Sequence, residues 1–588
     1  MSDTQHEKPM NDEEIRTDGG TDTGESFRQR VMDNPKPGAI WLTVLVLLIA
    51  PELGRFVDWM LALGGGIKFI FDGFVAAPAW IGSNFEDSLG FVAGAFATDI
   101  TALLMLFVLA ALLRGYLPFH PDTRLGLDLS RSRRVWFERG FLTTVFAAVT
   151  AVLVFTPLGA LLRNEVGFYV GVLDSIGDMQ TLISRETIPN HGYQTPAGDW
   201  EGTFLGLSPR YAWLTRFLLV WVYAAVFIGW LWQGYNVFRE HYRAMDWTPR
   251  DDVIDRLRSH SWGVFGIVVV LGFIVLALFA PAIATYPIQE NVYQPYAEDS
   301  EFKYFNEESG EVEMAHHGDA NLDSRSQGEG SGTVSINEYD EYGRYAPLGT
   351  TPSGEDMMTH IAYGAQTSLT IAFVSITIAV FLAMLLSLAS AFYGGIVDLM
   401  TIIGTDTIIS IPIFVLVLMM SVVFSQGDVW IAEPMDGGFL LALIYAFAYM
   451  PGMWRSIRGP SLQVAQEEWV DAAKSYGQRP LAIMRKHMAP YVMSYLIIYG
   501  SLLIGGIIIV TSALSFLGYG VTEPTPEWGR LISDGRNAVA TESWHVSTVS
   551  GAMIAIVVTG FNALGDGIRD AIDPQAEANA TGNAGGGA

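Results

Sequence analysis

The residues of this sequence best spaced to do work form a docking element rather than a catalytic constellation. The stretch Gln466-Glu467-Glu468-Trp469-Val470-Asp471-Ala472-Ala473-Lys474-Ser475-Tyr476-Gly477 lies between two long apolar runs. Drawn as a helix, Trp469, Ala472, Ala473 and Tyr476 fall at i, i+3, i+4 and i+7, two rings around a small alanine floor. Gly477 is free to take the left-handed backbone that stops a helix, and Pro480 suits the first turn of a second one. The chemistry on offer is recognition. An apolar face that its own loop does not cover belongs to a partner, and this one is too narrow and small to be a lipid-lying face.

Other polar residues have a functional and a plainer reading. Asp406 lies well inside an apolar run, where an ionisable group faces a water-filled path or a partner. Pairing or reaching to the cytoplasmic edge is the plainer reading, and the translocation path the functional one. Asp398 reads as a helix-start residue, favourable at the positive end of the dipole. Glu52, Arg55 and Asp58 read as the water-exposed end of a first span, His316-His317 as a solvated pair, and Met357-Met358 and Met419-Met420 as packing. No Gly-Lys dipeptide occurs, so there is no phosphate-cradling loop with its lysine and the chain is no ATPase. No zinc-protease, nucleophile-elbow or paired-carboxylate pattern stands out. Ten scattered histidines and no cysteine propose neither a metal nor a cofactor bound by this chain.

The elements that carry these residues are membrane helices. Half of the 588 residues are apolar and only 16% charged, with a mean hydropathy of +0.31, unlike soluble folds. Apolar runs near 38–60, 92–113, 140–162, 212–235, 261–285, 366–392, 400–425, 438–453, 491–516 and 547–564 are each about the length that crosses a bilayer. An eleventh, 61–82, contains Lys68, Asp72 and three successive glycines from Gly64, and reads as an interfacial or re-entrant piece. The expected class is an all-α polytopic membrane protein. Arginines crowd 114–137 and 236–258, which places those loops and the N-terminus in the cytoplasm by the positive-inside rule. The segment 286–360 holds sixteen acidic residues against Lys303, Arg325 and Arg344, and is expected outside. It is poor in apolar residues, so a large core of its own is not expected there. A net charge of -27 excludes nucleic acid as a partner. That charge, with only six lysines, fits a saline habitat such as that of a halophilic archaeon. The expected layout is a disordered acidic cytoplasmic tail at 1–35, an accessory transmembrane region of about four spans at 36–257, a first core helix at 258–285, the acidic insert at 286–360, a permease-like domain at 361–574 and a disordered tail at 575–588.

Five stretches in order resemble one family. Asp471-Ala472-Ala473, three residues, Gly477, twelve residues and Pro490 resemble the EAA loop of the membrane subunits of ABC importers, here spanning 464–490, with Asp471 for the usual Glu and Ala489 for the usual Leu. Ala346-Pro347-Leu348-Gly349-Thr350 with Gly354-Glu355-Asp356 and Tyr363-Gly364-Ala365 resembles the lead into the second core helix of the second permease subunit in dipeptide, oligopeptide and nickel importers. Tyr393-Gly394-Gly395 with Asp398, Asp406 and Ile411-Pro412 resembles its third. Ser515-Phe516-Leu517-Gly518-Tyr519-Gly520 with Pro524-Thr525-Pro526-Glu527-Trp528-Gly529 resembles the loop between its last two helices. Leu564-Gly565-Asp566-Gly567-Ile568-Arg569 resembles its C-terminus. The resemblance implies a six-helix type I, MetI-like core plus about four extra N-terminal helices. It implies a multi-pass plasma-membrane permease for peptides or nickel that is not itself an enzyme. The partners it implies are a second, different permease subunit, two ABC ATPase subunits that use ATP and Mg, and an extracytoplasmic substrate-binding protein. Glu468, Trp469, Asp471, Ala472, Ala473, Tyr476, Gly477 and Pro490 would then carry the ATPase coupling. A lone secondary transporter or channel, or a membrane sensor using the insert, are the rival readings. The first calls for inverted repeats and helices broken at the midplane, and neither is evident in the sequence.

Overall fold

The computed structural model describes residues 27–113, 131–155, 157, 167, 170–245, 247–325, 334–425, 434–541 and 543–572. Residues 1–26, 114–130, 326–333 and 573–588 therefore lie outside the described residues, and with them most of both expected tails and of the first arginine-rich loop.

The chain forms two compact units, Met1–Ala50 with Ala225–Pro249, and Pro51–Ala224 with Arg250–Ala588. In the smaller unit α1 (Phe27–Asp33) and α2 (Pro35–Ile49) lie beside the second half of a long helix. Phe27–Asp33 is helical where the composition suggests disorder. Its aromatic start has a surface to pack on, Phe27 meeting the rings of Phe238 and Tyr242. Trp41 and Trp230 exchange indole N–H bonds to each other's carbonyls at 3.0 and 3.2 Å. Each ring thus satisfies its single donor within an apolar contact.

In the larger unit α3 (Leu53–Leu89) runs unbroken through 61–82, so that stretch is continuous helix rather than a re-entrant piece. Glycine lowers helix propensity by only about 1 kcal/mol per residue, and the flanking apolar residues outweigh three of them. α4 (Phe91–Leu113) and α5 (Arg131–Phe155) follow, then α6 (Pro209–His241), whose first half belongs to this unit and whose second half to the smaller one. α7 (Pro249–Ser259), α8 (Ser261–Leu278) and the short α9 (Ala280–Ile283) lead into the insert. The insert contains α10 (His317–Asp323). The remaining helices are α11 (Met357–Tyr393), α12 (Gly395–Ile409), α13 (Ile413–Ser425), α14 (Gly438–Ala465), α15 (Glu468–Ser475), α16 (Pro480–Ile483), α17 (Ala489–Phe516), α18 (Trp528–Gly535) and α19 (His545–Ile572).

Among the described residues nine helices are long and apolar enough to cross a membrane. A tenth span counts only if α12 and α13 are taken together, and these are bent by 84°. The expected single span at 400–425 is therefore broken. The cause is Pro412, which has no N–H to donate and disfavours helical backbone at Ile411.

The six later helices share one interior. α8 crosses α19 at Gly263 and Gly567, where a Cβ on Gly567 would come within 2.6 Å of the Gly263 Cα, a close approach of the kind small residues allow between membrane helices. α11 packs along α14 and α17, and Ser387 bonds Ser461 at 2.7 Å within that seam. Trp528 opens α18 and is fully buried. Its indole N–H donates to the Ile361 carbonyl at 3.0 Å, and its ring fills the space a Cβ on Gly364 would need. Met357 and Met358 are buried packing residues, as expected, whereas Met419 is exposed.

The 286–360 segment is more ordered than its composition suggests. β1 (Glu301–Asn306) and β2 (Glu311–His316) form a six-pair hairpin. Its interior is shared with residues 181–216 rather than self-contained. His191 stacks on Phe302 at 5.2 Å and meets Tyr286 and His317. Trp200 stacks on Tyr339. Arg216, fully buried, donates to the carbonyls of Ile188, Ala282 and Ala284 and to the Asn190 side chain at 2.6–3.0 Å. Residues 51–224 thus group with the core in one compact unit.

Candidate functional site

α15 forms where the resemblance places a coupling helix, and its end has a definite cause. Gly477 takes φ +73°. The N–H of Gln478 donates to the Ala473 carbonyl at 3.1 Å and that of Gly477 to Lys474 at 2.9 Å, a Schellman ending that satisfies the last carbonyls. Pro480 then opens α16, and Pro490 lies in the first turn of α17.

The helix has two faces. Val470 and Ala473 are buried against the chain itself, so Ala473 does not share the outward face that its spacing suggests. The Val470/Ala473 pair at i, i+3 is the inward stripe. Glu468, Trp469, Asp471, Ala472, Tyr476, Gly477 and Pro490 are exposed, Trp469 at 40% and Tyr476 at 87%. Two rings with Ala472 between them thus remain uncovered. Asp471 pairs with Lys474 at 3.0 Å, and the Lys474 ammonium sits 5.4 Å from the Phe392 ring at the end of α11. The Trp469 and His487 rings are 6.1 Å apart, and His487 meets Gln478 at 3.2 Å.

Asp398 and Asp406 each meet an arginine of α14, and the two pairs differ. Asp398, in the first turn of α12, takes both Nε and Nη2 of Arg458 at 2.9 and 2.6 Å and also accepts from Ser390. Asp406 accepts from Nη2 of Arg455 alone, and both side chains are about half exposed, 49% and 56%. Beside that pair a cavity of about 540 Å³ opens at the helix break, lined by Ile408, Ile411, Leu416, Tyr449, Tyr499 and Leu503, with Arg455 at its wall. The sequence reading passes over Arg455 and Arg458, because arginines closing an apolar run look like ordinary boundary markers. Their three-residue spacing on α14, opposite Asp398 and Asp406 of α12, is the signal that finds them.

Two further clusters involve the 286–360 segment. A polar cavity of about 520 Å³ is lined by Glu355, His360, Glu523, Glu527, Arg530 and Asp534 among others. His360 meets Glu355 at 2.7 Å, and this bond holds the Glu355 carboxyl below its usual value although burial works the other way. Glu527 caps α18 by accepting from Arg530 N–H at 3.1 Å, and burial pushes its carboxyl up. The histidines expected as a solvated pair are not one. His317 is buried at 1% exposure. Burial pushes its imidazole well below the ordinary value, with His191 and Arg344 adding to it, and burial takes His191 down to about 3. Nor are Glu52 and Arg55 a wet helix end. They pair at 2.9 Å in the interior, with Arg55 donating to Ile183 and Thr181 and Glu52 accepting from Ile183, while Asp58 stays exposed. Among the described residues no group of three His, Cys, Asp or Glu side chains is placed to hold a metal ion.

Comparison with known proteins matches residues 375–577 to the binding-protein-dependent transport system inner membrane component. Residues 248–300 match the N-terminal transmembrane domain of oligopeptide transport permease C. The dipeptide transport system permease protein DppC of Alkalihalophilus pseudofirmus is 28% identical over 328 residues, 56% of this chain and 90% of that protein. The probable D,D-dipeptide transport system permease protein DdpC of Escherichia coli is 32% identical over 229 residues, 39% of this chain and 73% of that protein. The oligopeptide transport system permease protein OppC of Escherichia coli is 31% identical over 235 residues, 40% and 74% of the two chains. On these matches the chain belongs to the binding-protein-dependent transport system inner membrane components, the permease family of ABC importers.

Proposed function

We propose that this multi-pass protein is the membrane permease of an ATP-driven importer of dipeptides or oligopeptides, working with a second, different permease, two ATPase subunits and an extracytoplasmic binding protein. Family membership and the dipeptide and oligopeptide permeases among its relatives support the cargo class. The observation that carries the mechanism is the two-sided α15, anchored through Val470 and Ala473 and bare at Trp469, Ala472 and Tyr476. ATP and Mg act in the partner ATPases. Their closure moves the docked helix, and the six-helix core follows because α15 is stiff and seated. A partner shifts such an equilibrium only by its differential affinity for the two states. Both termini are cytoplasmic in this reading, and the 286–360 insert is outside.

The test uses the assembled importer in liposomes. Ala472→Trp adds bulk to the bare face without touching the buried stripe. Gly477→Val forces a β-branched residue into left-handed backbone, at a cost of about 1–2 kcal/mol. Peptide uptake and cargo-stimulated ATP hydrolysis should fall together, about tenfold or more, with the permease still inserted. Normal coupling in both variants would remove α15 from the docking contact.

A further inference from the structure

We propose that the cavity at the break between α12 and α13 is a cargo subsite for a carboxylate group, read by Arg455. The proposal rests on the peptide-importer reading above and adds the chemical group recognised and the residue that recognises it.

Three observations converge on this cavity. Its volume of about 540 Å³ lies in the range of small-molecule sites, and its lining is mostly apolar with a few polar groups. It sits at an 84° break, and non-helical backbone at membrane depth is tolerated where it lines a protein or water-filled cavity. Asp406 lies about eleven residues into α12, roughly 16 Å along the helix. It and Arg455 are about half exposed, so the pair is open to a ligand beside the cavity.

The neighbouring ion pair indicates what Arg455 is for. Arg458 spends two nitrogens on Asp398, which Ser390 also contacts, and that pair is only 31% and 19% exposed. It is a closed structural pin between α12 and α14. Arg455 gives Asp406 one nitrogen and has no other hydrogen-bond partner among the described residues. The free edge of a guanidinium is a planar fork that fits a carboxylate with two parallel bonds. Ile408, Ile411, Leu416 and Leu503 beside it suit an apolar side chain on the same cargo residue. Asp406 orients the guanidinium and neutralises it when the site is empty. It also weakens the hold on an incoming anion, as a path that must release its cargo requires. The cargo recognised is a short peptide with a free C-terminal carboxylate.

The experiment measures ATP-driven uptake of Ala-Phe and of its C-terminal amide by the complete importer in liposomes. The same binding protein serves every variant, so its own preference cancels when ratios are compared. Arg455→Gln should raise the KM for the free acid about tenfold or more and that for the amide less than about twofold. Arg455→Lys should fall between. Arg458→Gln, which breaks the structural pin, should affect both probes alike. Equal loss of acid and amide uptake in Arg455→Gln would overturn the proposal. So would loss of the second permease on purification of that variant, which would make the cavity a subunit contact. A wild-type importer that moves neither probe would refute the peptide reading itself, and the subsite with it.

Discussion

Arg216 shows how one residue can hold a region together. It is fully buried, and its four bonds reach two segments distant in sequence, 188–190 and 282–284. Trp213, one turn earlier, adds a bond to the Ile283 carbonyl at 2.9 Å. Replacing Arg216 by Met keeps the bulk but leaves buried acceptors without donors, at about 1–3 kcal/mol for each group. We expect Arg216→Met to lower amide protection across Ala282–Tyr293 by about 100-fold in hydrogen exchange. Unchanged protection would show that these carbonyls have other donors. Ala473 teaches the complementary lesson. A small residue in a docking motif can be small because its own chain presses on it.

At the scale of elements, the β1–β2 hairpin packs on His191 and on His317 at the start of α10. Arg344 lies 3.2 Å from His317 Nδ1, Tyr286 and Phe302 flank both imidazoles, and Glu290 stands 3.8 Å from His317 Nε2. Both histidines are neutral because burial and the nearby arginines disfavour the cation. Their unfolded value is about 6.5. Between that value and about 3 the unfolded state binds more protons, so stability falls as pH falls. Each such histidine costs up to ~1.4 kcal/mol per pH unit in that window. The hairpin should lose hydrogen-exchange protection between about pH 6.5 and pH 4 while α11 and α14 keep theirs. His191→Phe should flatten the response, since its neighbours are mostly rings. Acid-insensitive protection in the native hairpin would refute the linkage.

At the scale of the molecule, the larger unit combines an N-terminal helical region, the 286–360 segment and the six-helix core. Residues 181–216 supply part of the interior of the 286–360 segment. The orientation of the chain is testable because it has no cysteine. Glu308→Cys, exposed in the hairpin turn, should react with an impermeant maleimide from outside. Gln478→Cys, exposed beyond α15, should react only after the membrane is opened. The reverse pattern would invert the topology and remove α15 from the cytoplasm.

Membrane class, nine of the ten spans, the helix at 468–475 and its glycine stop were legible in the sequence, because each depends on local rules. Apolar length sets a span, 3.6-residue spacing sets a face, and Gly477 sets an ending whatever surrounds it. Tertiary structure decided which side of α15 is covered, which charges meet, and that Pro412 bends a span by 84° rather than merely interrupting it. It also decided that Glu52, Arg55 and His317 are interior. Burial is a property of what packs on a residue, and the covering segments arrive from more than a hundred residues away, as Ile183 does at Glu52 and His191 at His317. No window of sequence contains both partners, so periodicity alone places such charges in water.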